Sequence, residues 1–368
     1  MKNSRKNSTP AGSLVAIIAV SLLCFAIVIV GSVRKRPLIV ESNATADEPL
    51  MNPALDSGEL GGGYRPEITT VLVDNGRLVI GTDNGLYLMP VADSVADMKP
   101  EVVTADVDLL CLNAILPLGE SRFVGSYSGL YKLDDSYTIA FKSYYPGEAV
   151  YALLEFGDGI LVGTDRGLWF HCDEPIDEFG CLDTLLLDNT IVTALATDYA
   201  GLWVGTYGDG LFYNDGRAWQ QRYLLRDTLS FAFVNALEYR HPYLWVGTEK
   251  AIFRYNGGRW SQMFEADSSE IQMTTAIMST PAATYIGTER GLLRCVGDTL
   301  KSVPEFDGIA VAAFCVDGKD VIVATRKDGI FTFKGKEEIV SPEQLTIQAW
   351  PEDINNEVLA ETNIEKMK

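Results

Sequence analysis

Histidine is nearly missing from this chain: His171 and His241 are the only two in 368 residues. They stand far apart, one beside Cys172 and one before Pro242, with no helical partner and no metal-ligand spacing. A closed zinc site needs four ligands, and a His/Cys set near 171–181 lacks the third and fourth. Also absent are a Gly-x-Ser-x-Gly elbow, a glycine loop that cradles phosphate and a calcium loop of alternating acids. No catalytic residue, metal or cofactor is therefore expected. The 50 acidic residues leave a carboxylate-pair glycosidase or lyase open, but nothing in the sequence selects a pair.

Acid is missing from the first 36 residues, which hold six bases (Lys2, Arg5, Lys6, Arg34, Lys35, Arg36). The remainder then carries 24 bases against 50 acids, a net charge of −26. A domain of that sign repels polyphosphate, so nucleic acid is not an expected partner. A basic or polyamine partner is compatible with the charge, though not implied by it.

Charge of either sign is absent from residues 11–33, an apolar run long enough to cross a bilayer as a helix. Two processing routes fit poorly. The small-x-small sequence Ala44-Thr45-Ala46 lies beyond the basic Arg34-Lys35-Arg36, and Leu23 stands where a lipoprotein signal needs a small residue before Cys24. The expectation is an uncleaved single-pass anchor in the cell (inner) membrane, with the rest of the chain in the periplasm or exterior. Residues 1–10 form a short basic tail. Residues 34–63 mix Pro, Gly and acids without periodicity and read as a flexible stalk ending at Gly61-Gly62-Gly63. Residues 342–368 are polar and acidic and are expected to be disordered.

What remains is dominated by repetition. LWVGTYGDGLFYND (202–215) has six relatives: LVIGTDNGLYLM (78–89), RFVGSYSGLYKL (122–133), ILVGTDRGLWFH (160–171), LWVGTEKAIFRYNG (244–257), TYIGTERGLLRC (284–295) and VIVATRKDGIFTF (321–333). Each is an apolar strand ending in Gly-Thr, a polar turn, and a second strand opening with Gly-Leu or a close equivalent. The anchors Gly81, Gly125, Gly163, Gly205, Gly247, Gly287 and Ala324 are 44, 38, 42, 42, 40 and 37 residues apart. That is the period of a four-stranded propeller blade. Eleven residues before each anchor sits a small residue (Thr70, Ala114, Ala152, Ala194, Ala236, Ala276, Ala313), followed each time by an apolar one. A constant offset beside a variable repeat length means that packing holds this half of each unit. Crowding of the innermost strands at the ring axis is the expected cause. The expected fold is all-β: a seven-bladed β-propeller of four-stranded blades over 64–341, preceded by one transmembrane helix.

Within each blade the innermost strand is expected around the small residue, the second at the anchor and the third from the Gly-Leu. The fourth is the variable strand, clearest at 217–225 and 258–264. For the last blade it is placed at Glu337–Val340, with ring closure edge to edge and no interlocking strand. Cys172 and Cys181 bracket a loop of the third blade and can be read as a disulfide or as two separate strand cysteines. Cys111, Cys295 and Cys315 are read as small core residues within strands.

The segment Leu202–Thr206, then Gly210-Leu211-Phe212, Asn214-Asp215-Gly216 and Trp219, resembles the two-component-regulator propeller repeat. Leu244–Thr248 with Ile252–Gly257 and Trp260 resembles it again, while the sixth and seventh copies lack the Trp and the last has Ala324 for glycine. The resemblance implies the fold and a binding habit, as in extracytoplasmic sensor regions of bacterial hybrid histidine kinases and in stand-alone propellers. No kinase sequence follows the repeats here, so the signalling role is not carried over.

In a propeller the turns between second and third strands, and the links between blades, emerge on one face. The turns supply Tyr127, Arg166, Tyr207, Glu249, Lys250, Arg290 and Arg326, and the links supply Tyr145 and Phe231. Loop aromatics and arginines are the residue types that make interface hot spots. The expected role is a non-enzymatic scaffold that binds a protein partner in a membrane or envelope assembly. A receptor for a small ligand or glycan on the same face is the alternative, and a polysaccharide hydrolase or lyase the third reading.

Overall fold

The computed structural model describes residues 66–91, 101–103, 109–138, 140–172, 184–222, 233–265, 273–333 and 345–348. Seven four-stranded antiparallel sheets follow one another along the chain, each built from four consecutive strands. They span 68–102, 112–144, 150–188, 192–222, 234–265, 274–303 and 311–348, and are called blades 1 to 7. Blade 4, for example, runs Val192–Thr197, Leu202–Thr206, Leu211–Asn214 and Trp219–Arg222. The first strand of each blade packs on that of the next, and the first strand of blade 7 packs on that of blade 1. The chain is a closed seven-bladed β-propeller. Among the described residues no helix is long and apolar enough to cross a membrane; the expected anchor at 11–33 and the stalk at 34–63 lie outside them.

The constant offset of eleven residues has a direct structural meaning. Each small residue is the cross-strand partner of its anchor: Thr70 with Gly81, Ala114 with Gly125, Ala152 with Gly163, Ala194 with Gly205, Ala236 with Gly247, Ala276 with Gly287 and Ala313 with Ala324. The pair leaves a notch on the blade, and the neighbouring blade fills it. A Cβ on Gly205 would sit 2.6 Å from Cγ1 of Val234, the first residue of blade 5. Val150, Val192 and Val311 stand in the same way against Gly125, Gly163 and Gly287. The glycines thus answer to the incoming blade, which corrects the expectation that crowding at the axis requires them.

In all seven first strands the register shifts just before the small residue, so one residue bulges out of the ladder. These residues are Thr69, Asn113, Tyr151, Thr193, Asn235, Thr275 and Ala312. Four of them donate across the blade boundary to a carbonyl of the next first strand: Thr69 to Leu112, Asn113 to Val150 (2.9 Å), Thr193 to Val234 (2.5 Å) and Thr275 to Val311 (2.7 Å). The bulge turns an inner-strand side chain into a tie between blades.

Among the described residues, ring closure uses no shared strand. Ile68 donates its amide to the carbonyl of Arg326 (3.0 Å), and Lys327 Nζ lies 2.7 Å from Glu67 Oε1. Beneath them Ile68, Val71, Ile80, Tyr87 and Met89 of blade 1 form one core cluster with Cys315, Ile322, Ala324 and Ile330 of blade 7. The fourth strand of blade 7 is Leu345–Gln348, hydrogen-bonded from Phe333–Leu345 to Ile330–Gln348, so the propeller reaches past residue 341. The expected strand at Glu337–Val340 opens on two adjacent acids. Leu345-Thr346-Ile347-Gln348 instead alternates apolar and polar along the strand. Cys295 and Cys315 are buried strand residues as read, but Cys111 is not in a strand. It precedes blade 2 with φ 51° and turns its thiol to the carbonyl of Asp83. Cys172 is buried, and Cys181 lies outside the described residues.

Trp203 and Trp245 fill blade boundaries as expected. Trp203 packs with Leu244, Val246 and Phe253 of blade 5, and Trp245 with Ile286 and Cys295 of blade 6. One inner-strand position breaks this apolar pattern. Leu72, Leu116, Leu154, Ala196, Met278 and Cys315 stand two residues after the small residue in six blades, and Glu238 stands there in blade 5. Its Oε1 accepts the amide of Ser279 on blade 6 (3.0 Å), and burial pushes the carboxyl up to about 7 despite Arg240 nearby. The folded chain therefore binds a proton that the unfolded chain releases. Stability is full below the unfolded value of 4.5 and is lost as pH rises through 7. Between about pH 4.5 and 8 the wild type should lose roughly 3 kcal/mol relative to Glu238→Gln. Denaturant titrations of both proteins across that range check it; parallel curves refute it.

Candidate functional site

Every second-to-third-strand turn is built on one hydroxyl. Thr82, Ser126, Thr164, Thr206, Thr248, Thr288 and Thr325 are 0–2% exposed. Each donates across its turn, to the carbonyls of Gly85, Gly129, Gly167, Gly210, Ala251, Gly291 and Gly329 respectively. Each also accepts a backbone amide from within the turn, such as those of Arg166, Lys250 and Arg290. This accounts for Thr or Ser after the anchor: a buried hydroxyl with both roles filled fixes the turn that follows. The glycine at the far side of the turn has its own cause. Gly129 has φ 144°, and a Cβ there would meet the carbonyl of Tyr144 at 2.7 Å. The loop face is therefore a rigid ring of seven turns, with the side chains one or two residues past the hydroxyl carried outward.

The candidate residues on this face fall into distinct settings. Tyr127 is 58% exposed and stands edge-to-face on Tyr151 (5.8 Å, 80°). Tyr207 is 52% exposed and lies flat on Phe233, with ring centroids 4.0 Å apart, at a lone β-bridge between blades 4 and 5. Lys250 and Arg290 are exposed. Arg166 is exposed with Nη1 3.6 Å from Glu148 Oε1, and Arg326 reaches Glu289 at 3.3 Å. Two candidates work mainly inside the fold: Glu249 accepts the amide of Phe233 (2.9 Å), and Tyr145 is half-buried with its ring on Trp169 (5.4 Å). Phe231 lies outside the described residues. His171 is 2% exposed in blade 3, packed among Tyr144, Tyr145 and Phe123, and His241 lies in the first turn of blade 5, so the two histidines do not meet.

Sequence reasoning missed two features. Tyr151, a bulged first-strand residue, backs Tyr127, and burial together with Tyr127 and Asp165 pushes its phenol up to about 12. On the opposite face, where first and second strands turn, Thr197, Asp198, Tyr199, Tyr239, Arg240 and His241 line an open cleft of about 550 Å³. Tyr199 is 85% exposed there, with the rings of Tyr239 and His241 at 5.9 and 5.6 Å. Asp198-Tyr199-Ala200-Gly201 and Arg240-His241-Pro242 are both first turns of adjacent blades, so the repeat register itself held the signal. Among the described residues no group of three or more His, Cys, Asp or Glu is arranged to hold a metal ion.

No family model and no curated protein matches this chain. Solved structures do match in fold. One is the extracellular domain of a protein of B. thetaiotaomicron described as a hybrid two component system. It is 17% identical with a TM-score of 0.57, over 74% of this chain and 38% of that one. A second such extracellular domain from the same organism is 13% identical with a TM-score of 0.55, over 73% and 40%. The computationally designed Ika8 protein is 13% identical with a TM-score of 0.51, over 76% and 87%. This chain spans about two fifths of the two bacterial domains it resembles, and at these identities the likeness is one of fold.

Proposed function

We propose that this protein is a membrane-anchored, extracytoplasmic propeller that binds a protein partner through its loop face and carries out no catalysis of its own. The observation that carries this reading is the exposure of Tyr127 and Tyr207 on a ring whose turns are each pinned by a buried hydroxyl. Rigid aromatic anchors lose little freedom on binding, which is why they concentrate interface energy. The point of chain entry supports a partner at the membrane. Glu67 accepts the amide of Asp83 and pairs with Lys327, both in second-to-third-strand turns, so the chain from the predicted stalk joins the propeller at the loop face. Anchoring there raises the effective concentration of that face beside a membrane assembly. The repeat's resemblance to the two-component-regulator propeller, and the likeness in fold to extracellular domains of two component systems, support an extracytoplasmic location.

Gentle detergent extraction of the tagged protein, followed by sizing, tests this. The expected result is a stoichiometric partner lost on Tyr207→Ala or Arg290→Ala and kept on Tyr199→Ala, which alters the opposite face. A lone monomer, or loss on Tyr199→Ala alone, refutes the reading. A second reading, a receptor for a small ligand or glycan, is favoured by the cleft around Tyr199 and Tyr239, and thermal-shift screening of sugars and small acids addresses it.

A further inference from the structure

The turns between first and second strands lie on the face opposite the loop ring, and most of them follow ordinary turn chemistry. The tips Asn75-Gly76, Gly119-Glu120, Gly157-Asp158, 280–282 and Gly318-Lys319 carry no aromatic side chain. Blades 4 and 5 depart from this, with Tyr199-Ala200 and His241-Pro242 at their tips, and the two departures meet. Tyr199 is 85% exposed and touches the rings of Tyr239 (5.9 Å, 89°) and His241 (5.6 Å, 61°) edge-to-face. With that exposure at least one face of its ring is open to water, in the cleft of about 550 Å³. Asp198 fixes this platform. Its Oδ1 accepts the amides of Ala200 (2.7 Å) and Gly201 (2.8 Å), and its Oδ2 accepts Nε1 of Trp203 (2.8 Å).

The carboxylate of Asp198 is thus spent on its own turn, and the charge left open in the cleft is a cation. Arg240 is exposed and gives one N–H to the carbonyl of Ser279 (3.4 Å). Among the described residues it forms no ion pair, in a chain of 50 acids and 30 bases. Its sequence neighbour Glu238 spends its carboxylate on the amide of Ser279. The rest of the guanidinium fork is free for a carboxylate, which it can hold through two parallel N–H···O bonds. The open face of Tyr199 accepts a flat six-membered ring, either the π face of an aryl group or the C–H face of a sugar. The long-range field limits the charge such a ligand carries. Beyond residue 36 the chain has 24 bases against 50 acids, which repels polyanions and favours a single carboxylate.

We propose that the cleft between the first turns of blades 4 and 5 binds a monocarboxylate whose carboxyl group is carried on a six-membered ring. The ring lies on Tyr199 and the carboxylate pairs with Arg240. This rests on the second reading of the cleft, as a receptor site for a small ligand, and adds the chemistry that the site recognises. An aryl acid and a uronic acid share that chemistry, and titration separates them.

The full chain in detergent is titrated by calorimetry with 4-hydroxybenzoate and with glucuronate. Phenol and glucose serve as the rings without the carboxyl, and acetate as the carboxyl without the ring. At least one acid is expected to bind, and the tighter of the two identifies the kind of ring. Its uncharged counterpart should bind at least about tenfold more weakly, and acetate roughly three- to tenfold more weakly. R240A should weaken the acid at least about tenfold. R240K should weaken it several-fold, because lysine keeps the charge without the fork. Y199A should weaken it roughly three- to tenfold, and the exposure of that side chain keeps folding out of the result. Y127A, on the loop face, should change binding by less than about twofold. Binding of neither acid overturns the proposal, as does an acid that R240A or Y199A binds as tightly as the wild type. Phenol or glucose binding as tightly as its acid overturns the carboxylate assignment, while a loss on Y199A would still leave the cleft a ligand site. The titration needs no partner, so a lone monomer in the extraction experiment would sink the protein-partner reading and leave this one standing.

Discussion

Gly205→Ala is expected to destabilise the propeller by about 1–3 kcal/mol, and Gly205→Leu by more, because the added atoms enter space that the next blade already fills. The new Cβ would lie 2.6 Å from Val234 Cγ1, 3.1 Å from its Cβ and 3.2 Å from its carbonyl oxygen. Neither a β-branched side chain nor a backbone carbonyl in a first strand can swing away. Val234 is fully buried, so the strain is transmitted to the boundary between blades 4 and 5, where Trp203, Leu244, Val246 and Phe253 also pack. A double-mutant cycle isolates the cause. In a Val234→Ala background the alanine at 205 should cost under about 1 kcal/mol, leaving a coupling of similar size to the original loss. Equal costs in both backgrounds, read from denaturant titrations, would show that the glycine answers to something other than the incoming blade. Blade 7 is the natural comparison: Ala324 occupies the anchor position and packs in one cluster with Ile68 of blade 1.

The second large effect is expected at Asp74, in the first turn of blade 1. Arg122 of blade 2 is 4% exposed and meets Asp74 through Nε (2.6 Å) and Nη2 (3.3 Å), while Tyr137 donates its hydroxyl to the same carboxylate (2.9 Å). Nη1 is held by the carbonyls of Gly119 and Ser121. Asp74→Ala leaves a buried guanidinium and a phenol without their acceptor, and breaking a buried pair in this way costs about 3–5 kcal/mol. Replacing both partners, as in Asp74→Leu with Arg122→Met, should cost far less, since no charge is then stranded. The pair matters for its geometry more than for its charge: it fixes the boundary between blades 1 and 2 on the face opposite the candidate site. A single alanine substitution that leaves the melting temperature unchanged would refute this. By contrast, the ion pair of Lys327 with Glu67 at ring closure is exposed and screened, and its loss should be small.

How much of this was legible beforehand depends on the kind of interaction. The Gly-Thr pair, the offset of eleven and the turn glycines are local or cross-strand requirements, repeated seven times. One sequence was enough to expose them, and with them the blade count and register. The reason for the anchor glycine was misread, because Val234 lies 29 residues downstream in a different blade. The last outer strand was misplaced because outer strands carry no repeated constraint, only a weak alternation. Among the candidate site residues the distinction between Tyr127, exposed, and Glu249, tied to the Phe233 amide, depends on partners from adjacent blades. No pattern within a single repeat distinguishes them.

The sequence alone determined that the chain folds as seven like units, that the second strand of each ends at a Gly-Thr or its equivalent, and which residues ride on the turns that follow. Short-range sterics and hydrogen bonding repeat identically in every blade, so they leave a periodic trace. Only the tertiary structure decided what happens between blades. It set the valine against the glycine, the bulged side chains that tie first strands together, and the lone acid Glu238 among apolar neighbours. These contacts join residues at separations that vary with loop length, and burial and electrostatics act through space. The bulged residue and the valine recur at fixed places in their own repeats, but nothing periodic along the chain records which residues they meet.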